Sequence, residues 1–228
     1  MKLSVIIPFY NEERTIKDLV VKVISTGLVH EIICVDDGSE DKSFEVINEL
    51  VNQHLKLIKI IRLKKNSGKG LAIRNALQEV TGDIVLIQDA DLEYDPTQYS
   101  KLLIPFEDKK VKVVYGSRNL LKNPKSTNSF YWGGVLLSKI TNALYGSSIT
   151  DESTGFKLFR TELIKDLELK CERFEFCPEV TAKVLKRKIK IVEVPVSYNP
   201  RSLDEGKKIK WSDGVIAIRT LIKYRFFK

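Results

Sequence analysis

The stretch GDIVLIQDADLEYDP, residues 82–96, joins a run of apolar residues to a cluster of acidic ones. The run Ile84–Ile87 is apolar throughout, which is typical of a strand buried on both faces. Asp89, Asp91 and Glu93 then follow at alternate positions. Because alternate side chains of an extended chain project to the same side, the stretch predicts a buried strand that ends in three carboxylates on one face.

Similar apolar runs alternate with helical patterns through the first half of the chain. The predicted strands are Leu3–Ile7, Ile32–Val35, Lys56–Arg62, Ile84–Ile87 and Val111–Tyr115. The predicted helices between them are Glu12–Ser25, Lys42–Asn52 and Lys69–Val80. Continuous apolar strands separated by helices are typical of a mainly parallel sheet with helices on both faces. The sequence therefore predicts an α/β fold built around such a sheet.

The second half of the chain has a less regular pattern. It predicts helices over Tyr131–Leu144 and Cys177–Lys186, strands over Phe156–Phe159 and Lys190–Val196, and polar loops over Gly146–Thr154 and Asn199–Lys210. Apolar residues then recur at the spacing of an amphipathic helix, at Trp211, Val215, Ile218, Ile222 and Phe226. We expect one domain over residues 1–210 and a basic amphipathic helix over residues 211–228.

The composition indicates a folded protein. The chain has 228 residues, of which 43% are hydrophobic and 30% are charged, and this excludes a disordered chain. No apolar run reaches the roughly 18 residues of a membrane-spanning helix, and the N-terminal stretch lacks the cleavage site of a signal peptide. Cys34, Cys171 and Cys177 are odd in number and lack paired metal-ligand spacing, which favours a reducing compartment. We therefore expect a cytoplasmic protein.

Basic residues are concentrated at the C-terminal end. Residues 183–228 hold 13 Lys and Arg against 4 Asp and Glu, within a chain of net charge +8. Such a block either binds an anionic partner, such as phosphate groups, an acidic membrane surface or nucleic acid, or is a solvated basic face. We do not expect nucleic acid, because the sequence has no RNA- or DNA-binding motif and its C-terminal aromatic residues do not form stacking platforms.

Polar residues follow three of the predicted strands. The segments 8–12, 36–39 and 89–91 read PFYNE, DDGS and DAD. In a parallel sheet, ligands bind beyond the carboxyl ends of the strands, so we expect these segments to converge on one edge. Their carboxylates are hard oxygen ligands that suit Mg²⁺ or Mn²⁺. The alternative for the DAD segment is a charged turn before a helix opened by Asp95 and Pro96.

Six motifs in order carry a family resemblance: SVIIPFYNEE, ICVDDGSEDKS, NSGKGLAIRNAL, GDIVLIQDADLEYDP, YGSRN and DESTGFKLFR. Together they resemble the family 2 glycosyltransferases of GT-A fold, a Rossmann-like fold that binds nucleotide-diphospho-sugars. The pattern is most similar to the group of dolichol-phosphate mannose synthases and other polyprenyl-phosphate glycosyltransferases. The resemblance covers about residues 3–210.

The resemblance implies an inverting transfer of a hexose, mannose or glucose, to a polyprenyl (dolichyl) phosphate. The donor would be a nucleotide-sugar such as GDP-mannose or UDP-glucose, and the cofactor Mg²⁺ or Mn²⁺. By position, the nucleoside would be held by Pro8, Tyr10, Glu12, Val35 and Asp37. The metal and diphosphate would be bound by Asp89, Ala90 and Asp91, with Glu93 as a third metal ligand where the family usually has Gln. Phosphate groups would be contacted by Arg118, Arg201, Lys207 and Lys208.

These residue types suit the implied chemistry. Negative charge grows on the nucleoside diphosphate as it leaves, and a metal held by Asp91 together with Arg118 would stabilise that charge. A phosphate acceptor is already a nucleophile and needs no general base. A sugar hydroxyl of a glycan or glycolipid, the alternative acceptor, needs a base within hydrogen-bond reach, for which Asp151 and Glu152 are the candidates.

Other segments allow two interpretations. The segment 66–70, NSGKG, is either a Gly-rich turn that caps the following helix or a loop that brings Lys69 or Arg74 near the donor. Glu175 and Glu179 either face the acceptor or lie on a half-exposed helix. The helix after residue 210 either lies in a membrane interface or packs against the protein itself. The first case implies peripheral contact with the cytoplasmic membrane face and room for a membrane-protein partner.

Overall fold

A computed structural model describes residues 1–124, 128–201 and 211–227 of the chain. Within these residues one sheet holds seven strands. They are β1 (Leu3–Phe9), β2 (Val29–Asp36), β3 (Ile58–Arg62), β4 (Ile84–Ile87), β5 (Val113–Ser117), β6 (Lys157–Arg160) and β7 (Ile191–Pro195). Each lies within a residue or a few of a predicted strand.

Eight α-helices lie in the described part of the chain. They are α1 (Ile16–Ser25), α2 (Ser43–Gln53), α3 (Lys69–Glu79), α4 (Tyr99–Leu103), α5 (Asn128–Tyr145), α6 (Thr161–Asp166), α7 (Phe176–Lys186) and α8 (Trp211–Phe226). The helix start at Asp95 and Pro96, named above, leads through the turn Pro96–Gln98 into α4. The sequence pattern did not predict α6, because a helix of six residues is too short to show an apolar period.

The strand order in the sheet is β3-β2-β1-β4-β6-β5-β7. Pairing is parallel between β1 and β2, β1 and β4, β2 and β3, and β5 and β7, whereas β6 runs antiparallel to both β4 and β5. The prediction of an α/β fold with a mainly parallel sheet is therefore confirmed. The reversed direction of β6 was not predicted, because an apolar run has no direction in the sequence.

Two apolar layers cover the two faces of the sheet. Val5 and Ile7 of β1 face the layer formed with α1 and α2, whereas Ile6 between them faces the layer formed with α3 and α7. All three side chains are fully buried. Burying one such side chain stabilises the fold by about 1.5–3 kcal/mol, which explains why the central strand β4 is apolar at every position.

Glu31 lies at the amino edge of the sheet and is 4% exposed. Its Oε1 accepts hydrogen bonds from the Ser4 hydroxyl at 2.6 Å and from the Thr81 amide at 2.6 Å, and Lys59 lies 3.2 Å from its Oε2. Burial alone would raise the pKa of Glu31, but these donors outweigh burial and lower the pKa to about 2. Glu31 is thus a charged group whose partners join three elements of the fold.

A smaller apolar cluster attaches α8 to the rest of the protein. Ala217 and Leu221 of α8 pack with Leu137 and Ala182, and the Tyr145 hydroxyl donates to the Leu221 carbonyl at 2.7 Å. The predicted stripe is therefore only partly correct. Its members Val215, Ile222 and Phe226 are 36%, 41% and 68% exposed, because the buried face of α8 is turned toward Ala217 and Leu221.

None of the helices in the described ranges is long and apolar enough to cross a membrane. Cys34, Cys171 and Cys177 are free thiols.

Candidate active site

The carboxyl edge of the sheet gathers the predicted polar residues. Asp37 follows β2, Asp89 lies two residues after β4, and Arg118 follows β5. Because β6 runs in the opposite direction, the segment before it reaches the same edge and contributes Asp151 beside Arg118. The structure therefore brings residues from distant parts of the chain to one edge, as the parallel sheet predicted.

Asp37 organises the loop that precedes α3. Its two oxygens accept hydrogen bonds from the amides of Ser67 and Gly68, each at 2.8 Å. Burial raises the pKa of Asp37, and the two amide donors oppose that rise only in part. Gly68 has a φ of +101°, and a Cβ there would lie 2.5 Å from the Glu172 carbonyl oxygen. This loop therefore requires glycine at that position and a carboxylate opposite it.

The other predicted nucleoside residues lie close to Asp37 along the sheet edge. Pro8 and Val35 face each other in the register of β1 and β2, and both are buried. Tyr10, directly after β1, is half-buried. The Glu12 carboxylate lies 2.8 Å from the Arg201 guanidinium, so the segment after β1 is tied to the segment after β7.

In the acidic cluster after β4, the charges of the neighbouring Lys69 and Arg201 do not fully neutralise the three carboxylates. Asp89 forms an ion pair with Lys69, while Asp91 accepts the Glu93 amide at 3.1 Å. Burial raises the pKa of Asp91, and the charges of Asp89 and Glu93 raise it further. A group in this situation binds a proton or a cation readily.

Glu93 does not join Asp89 and Asp91 in a ligand set. Its Oε2 accepts from the Tyr198 hydroxyl at 2.7 Å and its Oε1 from the Arg201 amide at 2.8 Å. Leu92 has a φ of +60°, so the chain turns there and residues 91 and 93 no longer project as in an extended strand. In the ranges that the structure describes, no three acidic, histidine or cysteine side chains are grouped to hold a metal ion. The predicted three-carboxylate set is therefore not assembled.

Of the other predicted donor-binding residues, Ala90 has a buried apolar side chain, whereas Lys69 has a charged side chain beside the acidic cluster. Ala90 is 5% exposed and packs in the core, so its side chain contacts protein. Lys69 begins α3, and burial alone would lower its pKa, but the Asp89 carboxylate raises it. Gly68 precedes the helix, as the first interpretation of the segment 66–70 expects, and Lys69 reaches the acidic cluster. A contact between Lys69 and the donor stays a prediction.

Arg118 and Asp151 form a two-point ion pair. Nε and Nη2 of Arg118 each donate to Asp151 at 2.7 Å, and the Arg118 amide donates to the same carboxylate at 2.9 Å. Burial would raise the pKa of Asp151, but the guanidinium holds that pKa below its ordinary value. Asp151 is therefore a weak proton acceptor, and the contacts suit it to orienting Arg118.

Glu152 lies deeper, with no exposed surface. Burial raises its pKa, and its Oε1 is among the described buried atoms that lack a hydrogen-bond partner. The neighbouring Lys157 ammonium donates to the Glu152 carbonyl at 2.5 Å and the Thr154 carbonyl at 2.9 Å. Glu152 is thus too enclosed to take a proton from an acceptor in the open part of the site.

A cavity of about 310 Å³ lies beside Arg118. Its lining is partly polar and cationic and partly apolar: Arg118, Asn119, Lys122, Asn123 and Asp151, with Leu121, Pro124, Tyr131, Gly134, Val135 and Tyr198. Sequence reasoning singled out Arg118 and Asp151 but missed Lys122 and Tyr198. Their position after the carboxyl ends of β5 and β7 was the available signal.

Arg201 is the last residue described before the gap. Its Nε donates to the Asp91 carbonyl at 2.8 Å, in addition to its ion pair with Glu12. The other two predicted phosphate contacts, Lys207 and Lys208, lie outside the described residues.

This arrangement of sheet and edge is a GT-A fold. The chain can be superimposed over its whole length on glucosyl-3-phosphoglycerate synthase from Mycobacterium tuberculosis, solved with Mn²⁺, UDP and phosphoglyceric acid, with a TM-score of 0.75. The alignment covers 79% of that chain at 20% sequence identity, so this likeness shows the fold alone.

The family is evident from the sequence. Residues 4–168 match the profile described as Glycosyl transferase family 2. The chain belongs to this family, as its ordered motifs predicted.

Two curated relatives are similar along most of the chain. A dolichol-phosphate mannosyltransferase of Pyrococcus furiosus is 30% identical over 214 residues, which cover 91% of this chain and 59% of that protein. The chain therefore spans less than two thirds of the length of that relative. A UDP-N-acetylglucosamine–dolichyl-phosphate N-acetylglucosaminyltransferase of Methanococcus voltae is 33% identical over 229 residues, which cover 91% of this chain and 90% of that protein.

Proposed function

We propose that this protein transfers a hexose from a nucleotide-sugar to the phosphate group of a polyprenyl phosphate. The observation that carries the proposal is the cavity beside Arg118. Its cations, Arg118 and Lys122, suit a phosphate, and its apolar side, including Leu121, Tyr131 and Val135, suits an isoprenoid chain. The names of the two curated relatives, which both act on dolichyl phosphates, support this acceptor class.

The chemistry of the cavity also favours an acceptor that needs no general base. Asp151 is held by Arg118 with a lowered pKa, and Glu152 is enclosed. A phosphate monoester is already a nucleophile at neutral pH, whereas a sugar hydroxyl needs a base within reach. A sugar hydroxyl as acceptor, the alternative from the sequence, therefore loses its two candidate bases.

The donor would bind along the same edge, on the side of β1 and β2. Asp37, whose oxygens face the loop before α3, would accept hydrogen bonds from the base or ribose, and Tyr10 and Glu12 would border the nucleoside. Pro8 and Val35 would shape the floor through the strands that they belong to. Lys69 and Arg201 would meet the diphosphate from two sides.

The residues present fit a divalent cation at Asp89 and Asp91. Two carboxylates lie close together there: burial raises the pKa of Asp91, and the Asp89 charge raises it further, which supports a place for a cation. Mg²⁺ is commonly held by one or two carboxylates together with substrate phosphates, and Mn²⁺ accepts the same oxygen ligands. When bound, the ion would offset charge on the donor diphosphate.

In the proposed reaction, an oxygen of the acceptor phosphate forms a bond to the anomeric carbon of the sugar. The bond between that carbon and the donor diphosphate breaks, its electron pair leaves with the nucleoside diphosphate, and the configuration at the carbon inverts. Arg118, fixed by Asp151, would orient the acceptor phosphate for this attack. Fixing two reactants in this way removes much of the entropic cost of the encounter.

The C-terminal helix would bring the protein to its lipid substrate. On α8, Ile222 and Phe226 are exposed beside Lys223 and Arg225, and apolar and basic residues side by side suit an anionic membrane interface. The free thiols agree with a reducing environment, so we place this contact on the cytoplasmic membrane face. A membrane-protein partner could share the contact.

A transfer assay tests the proposal. The protein is incubated with GDP-mannose, UDP-glucose or UDP-N-acetylglucosamine and a polyprenyl phosphate, with Mg²⁺, Mn²⁺ or EDTA, and the glycolipid and the nucleoside diphosphate are both measured. We expect one donor to give both products with metal and neither with EDTA. Polyprenol without phosphate is the matched control, and equal transfer to it would refute a phosphate acceptor.

A further inference from the structure

Glu179 has more hydrogen-bond partners than an ordinary helix surface residue. It is 1% exposed on α7, which corrects the expectation of a half-exposed helix position. Its Oε1 accepts from the Lys170 amide at 2.8 Å and its Oε2 from the Cys171 amide at 2.6 Å. Lys183, one turn further on, lies 2.7 Å from Oε1. Glu179 thus anchors the segment that precedes α7.

That segment, residues 170–173, supports the start of α3. The Gly70 amide donates to the Arg173 carbonyl at 3.1 Å, and the Leu71 amide donates to the Glu172 carbonyl at 2.9 Å. The first amides of a helix have no partner within the helix, so this segment supplies acceptors for two of them. A Cβ on Gly70 would lie 2.9 Å from the Cys171 sulfur, which shows how closely the two segments pack.

The support continues to Asp37 at the sheet edge. The residues just before α3, Ser67 and Gly68, donate their amides to the two oxygens of Asp37. Glu172 and Arg173 pack against Gly68 so closely that a Cβ there would lie 2.5 Å from the Glu172 oxygen. A displacement of residues 170–173 would therefore move the amides that hold Asp37.

The C-terminal helix reaches the same carboxylate. The Tyr224 hydroxyl of α8 donates to Glu179 Oε1 at 2.8 Å. Lys186 of α7 also holds the C-terminal end of α8, because its ammonium donates to the carbonyls of Tyr224 and Phe227 at 2.8 and 3.0 Å. The helix proposed to lie at the membrane is thereby joined, through one buried carboxylate, to the loop at Asp37.

We propose that Glu179 is a positioning residue for donor binding. We propose further that, through the hydrogen bond from Tyr224, the position of Glu179 depends on whether α8 is packed against α7. The inference rests on the proposed role of Asp37 at the nucleoside. A coupling between two equilibria is reciprocal. If the packing of α8 against α7 raises the affinity for a nucleotide at Asp37, then a bound nucleotide stabilises that packing by the same free energy.

Hydrogen exchange on the full chain tests the positioning role without any substrate. In Tyr224→Phe and Glu179→Gln we expect the amides of residues 67–71 to exchange faster by about threefold to tenfold, the effect of one lost hydrogen bond. Tyr145→Phe is the matched control, since it removes one hydrogen bond to α8 without touching Glu179. Unchanged exchange in both variants, or an equal increase in Tyr145→Phe, would overturn the inference.

Nucleotide binding then separates the inference from the function on which it rests. We expect UDP or GDP to bind about threefold to tenfold more weakly to Tyr224→Phe than to the wild type, with a matching rise in the KM for the nucleotide-sugar and an unchanged kcat. Wild-type affinity in both Tyr224→Phe and Glu179→Gln would refute the coupling while the function stands. A wild type that binds neither nucleotide would refute the proposed function, and the exchange experiment would still decide the role of Glu179.

Discussion

Glu31 and Asp91 lie at opposite edges of the same sheet, and their surroundings shift the pKa values of the two carboxyl groups in opposite directions. At the amino edge, hydrogen bonds to Glu31 outweigh its burial and lower its pKa to about 2. At the carboxyl edge, burial and two neighbouring carboxylates raise the pKa of Asp91. Each shift is a free-energy difference between the charged and neutral forms, so the charge of Glu31 stabilises the fold whereas the charge of Asp91 costs stability.

The difference indicates a structural role for the amino edge and agrees with the ligand site proposed at the carboxyl edge. Around Glu31, donors from Ser4, Thr81 and Lys59 come from separate elements and complete the site within the protein. Around Asp91, the charge of Arg201 lowers the pKa, but among the described residues it does not outweigh burial and the two neighbouring carboxylates. Excess charge at a site of this kind is kept at the expense of stability, as is common at functional sites.

The largest effect is expected from Asp91→Asn, which removes the charge on the functional side. Asp91 is proposed to hold the metal that offsets charge on the leaving diphosphate, so its loss should lower the rate of sugar transfer by roughly 10²–10³-fold. The free energy of unfolding, measured in urea with EDTA, should stay equal or rise, because a partly buried charge that is repelled by its neighbours is removed. A clear loss of stability would show that Asp91 has a structural role like that of Glu31.

Glu31→Gln tests the structural side. An amide cannot accept from all the donors around this position, so we expect the free energy of unfolding to fall by about 2–3 kcal/mol. Urea denaturation measures the loss, and isothermal titration with nucleotide should give the wild-type affinity. If nucleotide binding weakens while stability holds, the two edges do not divide structure and function as the contacts indicate.

Low pH should also distinguish the two edges. The pKa of Glu31 is lowered in the folded state, so its contribution is complete above the unfolded pKa of about 4.3 and disappears as pH falls through the folded value of about 2. The stability difference between wild type and Glu31→Gln should therefore be constant near neutrality and shrink from about pH 5 to pH 2. Denaturation curves at a series of pH values measure it, and a difference that grows in acid would contradict the assignment.

The smallest effect is expected from Glu93→Gln. Glu93 accepts from Tyr198 and Arg201, so the amide should weaken the hold on the segment after β7 by about 1 kcal/mol and slow transfer by less than about tenfold. The metal concentration that gives half-maximal rate should not change. A shifted metal requirement would return Glu93 to the ligand set that its spacing in the sequence suggested.

Local pattern explains which parts of the site could be predicted and which could not. Asp37, Asp89 and Arg118 come after apolar strands, and a parallel sheet places the segments after its strands at one edge, so their gathering was foreseen. The contacts of Glu93 with Tyr198 and Arg201 were not foreseen, because the left-handed turn at Leu92 has no signal in a sequence of alternating acids. Glu179 was misjudged because the donors that bury it come from the segment before its helix and from α8.

Strand apolarity and motif spacing are local properties, so the sequence alone was enough for the α/β class, the mainly parallel sheet, the ordered family motifs and the acidic edge. The tertiary structure was needed to show that β6 runs antiparallel, that Asp151 is held by Arg118, and that Tyr224 meets Glu179. These two side-chain pairs lie 33 and 45 positions apart along the chain. A charged side chain takes its pKa and its partner from whatever the fold packs against it, and that depends on long-range contacts.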